Sequence, residues 1–200
     1  MKKLNSLLLG GILLIATAAN AQKWNKPLTF LKGQKDLNIQ YSFDKMTVGN
    51  AGLEADYVSG KKAEYNKKEA GKGDKFEQSW KSAPTRVYEP KFEALLNKVL
   101  NGEGMNAAQN AKGAKYTLIV HTTFLEPGFN VGVMKKPAYC DYELSLVETA
   151  NPGTVLSSAI MKNIPGSQMG GFDFDSSSRI GECYGKAGKM VGKSLTKGLK

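Results

Sequence analysis

The sequence predicts an α+β protein, a single domain in which helices cover one face of an antiparallel sheet. Segments in which apolar and polar residues alternate predict strands, because neighbouring side chains of a strand point to opposite faces. Two further segments carry one-sided apolar stripes at helical spacing. In chain order the segments are β-α-β-β-β-α, and 200 residues is a suitable length for one domain.

Residues 1–21 have the pattern of an export signal. Two lysines precede an apolar run over residues 7–19, which is shorter than the roughly 20 residues that a membrane-spanning helix needs. Ala19-Asn20-Ala21 supplies the small residues that a signal peptidase recognises. We therefore expect cleavage near Ala21, a periplasmic or secreted mature chain, and no transmembrane span in that chain.

Residues 22–36 are a polar lead-in to the domain, which spans residues 37–200. The first strand is expected at residues 37–48, where Leu37, Ile39 and Tyr41 share one face.

Residues 49–85 form a lysine- and glycine-rich excursion in which the aromatic residues follow no clean period. We expect a long loop with a short helix at Asp74–Lys81, and a loop of this length in a compact domain is normally functional or partly disordered. The aromatic residues predict a lid over the core, with stacking on sugars or bases as the alternative. The candidate partner surface consists of Tyr57, Tyr65, Trp80 and Arg86.

The centre of the chain predicts a helix followed by three strands. The helix begins at Glu89 and ends before Gly102, a residue type that is common after helix C-termini. The alanine-rich segment Met105–Ala111 predicts a second, shorter helix. The strands are expected at Tyr116–Leu125, Ala138–Val147 and Thr154–Ile164, the last two paired antiparallel across the turn Asn151-Pro152-Gly153.

The closing helix, Ser178–Leu199, carries an apolar stripe, a lysine stripe and a glycine stripe. Glycine costs about 1 kcal/mol relative to alanine in a helix, so four glycines in register indicate a close backbone approach. We expect a packing seam of this helix on the sheet; a basic membrane-surface helix and a self-association seam are the alternatives. The seam consists of Gly181, Gly185, Gly188 and Gly192.

The two cysteines lie on segments that are expected to pack together. Cys140 falls on the apolar face of its strand, and Cys183 falls near the apolar face of the closing helix. An even number of cysteines in an exported chain is compatible with a disulfide bond, which would stabilise the fold by about 3–4 kcal/mol. The alternative is two buried free thiols.

Conventional catalytic motifs are missing from the sequence, and we expect no enzyme activity, metal or cofactor. The single histidine, His121, alternates onto one strand face with Ile119 and Leu125, where a structural role is expected. Residues 172–175 resemble the start of a calcium-binding loop, but the later positions of that loop do not match. Asp175 is better explained as a cap of the closing helix.

The charge favours a soluble surface over a nucleic-acid site. The chain has 28 lysines and arginines against 18 acidic residues, a net charge of +10. Only Arg86 and Arg179 are arginines, the residue type whose planar fork binds base edges and phosphates. Loose attraction to anionic lipid or polysaccharide is the alternative.

Two stretches resemble a group of exported Gram-negative envelope proteins. Residues 111–120, Ala-Lys-Gly-Ala-Lys-Tyr-Thr-Leu-Ile-Val, resemble the stretch that opens a strand in that group, and residues 142–156 are similar to its hairpin. The group includes the N-terminal domain of TolB and the curli-secretion lipoprotein, and the likeness covers about residues 86–164. It implies a related α/β fold and a role in envelope assembly, with no catalytic residue to carry over.

This chain also departs from the group. It has no lipid-bearing cysteine, it carries the excursion at residues 49–85, and Glu148 stands where the group often has aspartate. These departures do not support membrane anchorage or channel formation.

Two functions follow from the sequence. The first is a non-enzymatic accessory or binding protein that contacts an envelope protein. The second is a binder of glycans or small ligands, or a hydrolase with unfamiliar carboxylates. The sequence does not predict the oligomeric state.

Overall fold

The computed structural model describes residues 23–131, 134–166 and 176–199. The expected export signal at residues 1–21 lies outside the described residues, as do residues 172–175 with the expected cap Asp175. The helices are α1 (Glu54–Lys68), α2 (Lys72–Ala83), α3 (Glu89–Leu100) and α4 (Ser176–Leu199). The strands are β1 (Asp36–Ser42), β2 (Thr47–Val48), β3 (Asn106–Gln109), β4 (Tyr116–Glu126), β5 (Phe129–Val131), β6 (Met134–Lys136), β7 (Ala138–Glu148) and β8 (Asn151–Gly166).

The expected α+β class is confirmed, with one sheet of mixed direction. Its strand order is β3-β1-β4-β7-β8, and β2 pairs with β4. The expected antiparallel half is formed by β4, β7 and β8. The pairs of β1 with β3 and with β4 are parallel, and parallel neighbours need a long crossover connection. The segment from β2 to α3 provides it.

The expectation of a long loop at residues 49–85 was wrong, because this segment forms α1 and α2, whereas the short helix expected at Asp74–Lys81 is confirmed as part of α2. Three residues join the two helices, and Gly71 adopts the left-handed conformation there (φ 79°). The helical periodicity of α1 was not visible in the sequence, because the face of α1 that contacts α2 contains lysine and asparagine beside its aromatic residues. Stems of long polar side chains pack without giving an apolar period.

The expected short helix at Met105–Ala111 was also wrong, because Asn106–Gln109 is the edge strand β3. The side chain of Asn97 in α3 holds this strand by two hydrogen bonds. Its Nδ2 donates to the carbonyl O of Ala107 over 2.7 Å, and its Oδ1 accepts from the Ala107 N–H over 2.8 Å. Alanine favours helices by propensity alone, and here strand pairing with β1 overrides it.

The core lies between the sheet and the pair of helices α3 and α4. One face of β4 supplies Leu118 and Val120, both fully buried. The hydroxyl of Tyr184 in α4 lies 2.5 Å from that of Thr122 on the same face, and both residues are fully buried. Buried side chains from the other elements include Ile39, Leu144, Leu146, Phe92, Leu96, Leu100, Ala187, Val191 and Leu195.

The placement of His121 on one face with Leu125 was wrong. An irregularity between Thr122 and Phe124 shifts the pairing of β4 with β7, and a bulge of this kind reverses the alternation of faces beyond it. Leu125 is therefore buried, whereas Ile119 and His121 are only half-buried on the opposite face.

The glycine stripe of α4 is a packing seam, but its partner is α3 and not the sheet. A Cβ added to Gly188 would overlap the carbonyl O of Phe92. At Gly192 an added Cβ would lie 2.9 Å from Cβ of Val99. Close approach of two helix backbones needs residues without side chains at the crossing point. The stripe therefore sets how closely α3 and α4 pack.

We expect Gly188→Ala to lower the free energy of unfolding by at least about 2 kcal/mol, because the methyl group meets backbone that cannot move aside. Gly185→Ala is the matched control, since its added Cβ would lie 3.0 Å from the end of the flexible Leu95 side chain and 3.8 Å, an ordinary contact, from the Lys91 carbonyl O. Denaturant titration of both variants measures the difference. Equal stability of the two variants would contradict a backbone-to-backbone seam at Gly188.

Candidate functional site

The helical hairpin of α1 and α2 is the part of the molecule that gathers most of the predicted site residues. Its helices approach closely near the turn, where Gly73 packs against the backbone of Lys62 without room for a side chain. The Gly73 N–H donates to Oδ1 of Asn66 over 2.7 Å. This bond satisfies one of the free N–H groups at the start of α2.

An aromatic cluster holds the two helices together. The ring of Tyr57 lies 4.9 Å from that of Trp80, and the ring of Tyr65 lies 5.3 Å from that of Phe76. Phe76 joins the two pairs, with its ring 5.9 Å from Trp80. Tilted and edge-to-face contacts at these distances are favourable. Burial raises the pKa of Tyr57 to about 12, so its phenol stays neutral at physiological pH.

Ion pairs connect the polar sides of the same helices. Lys62 of α1 binds Glu77 and Asp74 of α2 at 2.8 and 2.9 Å, and these hydrogen bonds raise the pKa of the lysine. Within α1, hydrogen bonds from Lys61 and Lys68 lower the pKa of Glu64 to about 2. Exposed pairs of this kind add little stability individually, and only the pairs of Lys62 with Asp74 and Glu77 join α1 to α2.

A groove of about 580 Å³ runs along the hairpin between α1 and α2. Val58 and Trp80 contribute apolar surface that is largely buried, whereas Ala55 and Ala63 on α1 are exposed to solvent. This combination of apolar floor and accessible wall is typical of binding grooves. The remaining lining residues are Glu54, Ser59, Lys62, Asn66, Glu77 and Lys81.

The charges along this groove are balanced and paired. Glu54 accepts a hydrogen bond from Nε1 of Trp80 over 2.7 Å. Glu77 binds Lys62 and Lys81, the latter over 2.6 Å. The rim thus holds two carboxylates and two ammonium groups, and it offers little attraction to a strongly charged ligand.

The structure brings together three of the four residues of the expected partner surface, and it turns them inward. Trp80 is 6% exposed, and Tyr57 and Tyr65 are half-buried. The Nζ atoms of Lys61 and Lys68 lie over the Tyr65 ring, which limits stacking on it. Arg86 is exposed in the π-helical turn Pro84–Tyr88 that follows α2. The aromatic residues therefore build the hairpin, and the groove beside them is the accessible site.

Of the residues that line this groove, the sequence had selected only Trp80 for a binding surface. Val58, Ala55 and Ala63 belong to no apolar stripe that the sequence shows, and the helix they share was not predicted. The spacing of Val58, Lys62 and Asn66 by four residues was the available signal, since residues four apart share a helix face.

A pair of carboxylates lies elsewhere, at the start of α3. Nε2 of Gln109 donates to Oε2 of Glu89 over 3.0 Å and to Oε1 of Glu93 over 3.1 Å. The hydroxyl of Tyr41 donates to the carbonyl O of Glu89. Burial raises the pKa of Glu89. Neither glutamate lines the groove, so the hydrolase alternative gains no substrate site from them.

His121 makes contacts that suit a structural role. Its Nε2–H donates to the carbonyl O of Asp44 over 2.8 Å, which ties β4 to the loop after β1. Its Nδ1 lies 3.7 Å from Oε2 of Glu143. Among residues 23–131, 134–166 and 176–199, no cluster of three or more histidine, cysteine or acidic side chains is arranged to hold a metal ion.

Cys140 and Cys183 are free thiols in the structure, and both are fully buried. Cys183 lies within hydrogen-bonding reach of Cys140, so the sheet and α4 bring the two sulfurs together as the sequence predicted. Burial raises the pKa of the Cys140 thiol, and a protonated buried thiol reacts slowly.

None of the described helices is long and apolar enough to cross a bilayer.

No protein-family model matches the chain, and no curated protein matches it significantly. A solved PelC dodecamer from Paraburkholderia phytofirmans is 12% identical to this chain. The match covers 84% of this chain and 96% of the PelC chain, with a TM-score of 0.41. A variant of that protein is 13% identical, with coverages of 82% and 95% and a TM-score of 0.38. A Xanthomonas campestris protein of family DUF330 is 12% identical, with coverages of 82% and 86% and a TM-score of 0.38.

None of these three structures is a TolB domain or a curli-secretion lipoprotein, so the resemblance drawn from the sequence stays a prediction. At this identity and superposition the three structures assign neither a family nor a function to the chain.

We expect the protein, produced with residues 1–21 and kept in oxidising buffer, to show no titratable thiol when denatured without reductant, and two thiols after reduction. The physical reason is the juxtaposition of two cysteines in a chain with an export pattern. Thiol titration with a chromogenic disulfide in denaturant measures both states. Two thiols before reduction would reject the bridge and leave a pair of buried free cysteines.

Proposed function

We propose that the protein is an exported, non-enzymatic binding protein of the cell envelope, and that the groove of the α1–α2 hairpin holds a segment of another protein. The groove itself is the observation that carries this proposal. It combines an apolar floor at Val58 and Trp80 with exposed walls at Ala55 and Ala63. Small side chains on the wall leave room for the larger side chains of a bound segment.

The shape and charge of the groove favour an amphipathic peptide segment. Apolar side chains every third or fourth residue of a bound helix would fill the floor, which is the usual mode of helix-in-groove recognition. The paired rim charges can exchange hydrogen bonds with polar residues of the same segment without a strong preference for either sign. The lysine excess of the whole chain is therefore not what selects this partner.

A glycan is a less suitable occupant. Sugar binding by aromatic residues needs an open ring face, and the Trp80 ring is packed against Tyr57 and Phe76. Its Nε1–H is already bonded to Glu54. The groove volume of about 580 Å³ also falls in the range of small-molecule sites. A low-molecular-weight ligand is therefore the competing occupant.

The compartment rests on the N-terminal pattern of residues 1–21, two lysines, an apolar run and a small-residue cleavage site. An envelope location also agrees with the resemblance of residues 86–164 to envelope-assembly proteins.

We expect Ala63→Trp to abolish capture of a specific envelope partner, because the indole fills the groove. Ser79→Trp is the matched control. It places the same side chain at an exposed position of α2 that does not line the groove. Tagged wild-type and variant proteins, each confirmed as folded by circular dichroism, are used for affinity capture from envelope extract and mass spectrometry.

Loss of one partner with Ala63→Trp and its retention with Ser79→Trp supports the proposal. Equal capture by all three proteins would reject the groove as the binding site. A thermal shift by a small molecule that Ala63→Trp removes, without any captured protein, would assign the groove to the competing ligand class.

A further inference from the structure

The strands β5 and β6 form a two-stranded arm, residues 129–131 and 134–136, that pairs with no strand of the main sheet. Three of its side chains are unusually exposed for their size: Phe129 by 44%, Val131 by 57% and Met134 by 61%. Only three other large apolar side chains among the described residues are exposed to this extent, and they are distributed over α1's N-terminal cap and β8. The arm therefore concentrates exposed apolar surface in one place.

The register of the arm puts these side chains on one face. Phe129 pairs with Lys136, and Val131 pairs with Met134. Residues directly opposite in an antiparallel pair share a face, as do residues two apart on one strand. The three apolar side chains and Lys136 therefore form one face, and Asn130 with Lys135 forms the other.

The base of the arm is firmly attached to the domain. The Arg179 guanidinium of α4, 5% exposed, donates to the carbonyl oxygens of Pro127 and Gly128 over 3.2 and 3.3 Å. Lys136 binds Oε2 of Glu126 over 2.7 Å. Gly128 has a φ of 62° and packs against the Lys136 backbone with no space for a Cβ. An isolated two-stranded hairpin is marginal in water, and these contacts attach the base of the arm to the domain.

The chemistry of the arm fits an anionic lipid surface. Residues 127–137 contain two lysines and no acidic residue, within a chain of net charge +10. Lys135 is exposed and forms no ion pair with any described residue. Lys136 is paired with Glu126, so Lys135 is the lysine available to a lipid surface. It lies on the face opposite the apolar side chains, where its flexible stem keeps the ammonium at headgroup level while the apolar face enters the interface.

Area argues against a protein occupant. A stable protein interface buries roughly 800 Å² on each partner, far more than three side chains of an isolated arm expose. Partial insertion into a bilayer needs no such complementary surface. We propose that the β5–β6 arm docks the protein on an anionic membrane surface, with Phe129, Val131 and Met134 entering the headgroup region. This proposal is independent of the hairpin groove.

A local reporter tests the arm without interference from any other segment of the full chain. Met134→Cys carries a nitroxide label on the arm, and Ile160→Cys is the matched control on β8, since Ile160 is 60% exposed. Cys140 and Cys183 are fully buried and do not take the label. Electron paramagnetic resonance then compares relaxation by oxygen, which enters lipid, with relaxation by a neutral nickel chelate, which stays in water.

With phosphatidylglycerol vesicles, we expect the label at position 134 to gain oxygen accessibility and lose nickel accessibility, and the label at position 160 to stay aqueous. We expect Lys135→Gln to weaken vesicle binding by about fivefold, the effect of one lysine near an anionic surface. An aqueous label at position 134 would overturn the proposal. Equal insertion into phosphatidylcholine vesicles, or immobilisation of that label by protein alone, would overturn it as well.

Discussion

The backbones of α3 and α4 touch because four glycines of α4 face α3. Side chains at Gly181 and Gly192 would lie 2.8 Å from Val87 and 2.9 Å from Val99, and one at Gly188 would overlap the Phe92 backbone. This close contact lets two helices share one face of a five-strand path. It also lets Phe92 and Leu96 from α3 reach the same core as Val191 and Leu195 from α4. Four glycines lower the intrinsic helix propensity of α4, and the apolar surface that α3 and α4 bury by packing closely offsets this cost.

The packing of α3 and α4 on the sheet leaves the α1–α2 hairpin and the β5–β6 arm outside the central core. While α3 and α4 cover the core-facing side of the sheet, the α1–α2 hairpin is held by its own aromatic cluster, by the turn Pro84–Tyr88 and by the bridge between Leu53 and Thr47. The β5–β6 arm is attached through Arg179 of α4. Rigid core elements thus position two less buried extensions, and binding surfaces are commonly carried on such extensions.

Strong local periods made most of the fold predictable. The alternation of Ala138–Val147 and the stripe of α3 are found where the sequence indicated them. The hairpin turn lies at Thr149 and Ala150, earlier than expected, because Asn151-Pro152-Gly153 already belongs to β8 and Asn151 pairs with Glu148. The failures have separate physical causes. Met105–Ala111 has alanine's helix propensity, but pairing with β1 makes it a strand. The parallel direction of β1 depends on contacts between distant segments, which no local pattern encodes.

The candidate site was predictable only in part. The sequence selected Tyr57, Tyr65 and Trp80, and the structure groups them, because aromatic residues pack together wherever a helix pair allows it. The expected lid over the core agrees with their inward orientation, whereas the expected partner surface does not. The helix pair itself was not predicted, since the contacting face of α1 is completed by Lys62 and Asn66. A groove wall made of alanine leaves no signal in composition or charge.

Native-state hydrogen exchange tests most directly the claim that the α3–α4 seam is the stable centre and the hairpin a separately held extension. Amides that open only on global unfolding exchange slowest, whereas a locally held element opens at a lower free energy. We expect the amides of α3, α4, β4 and β7 to share the slowest exchange, and the amides of α1 and α2 to exchange faster as one group. Equal protection of α1 and α4 would contradict it.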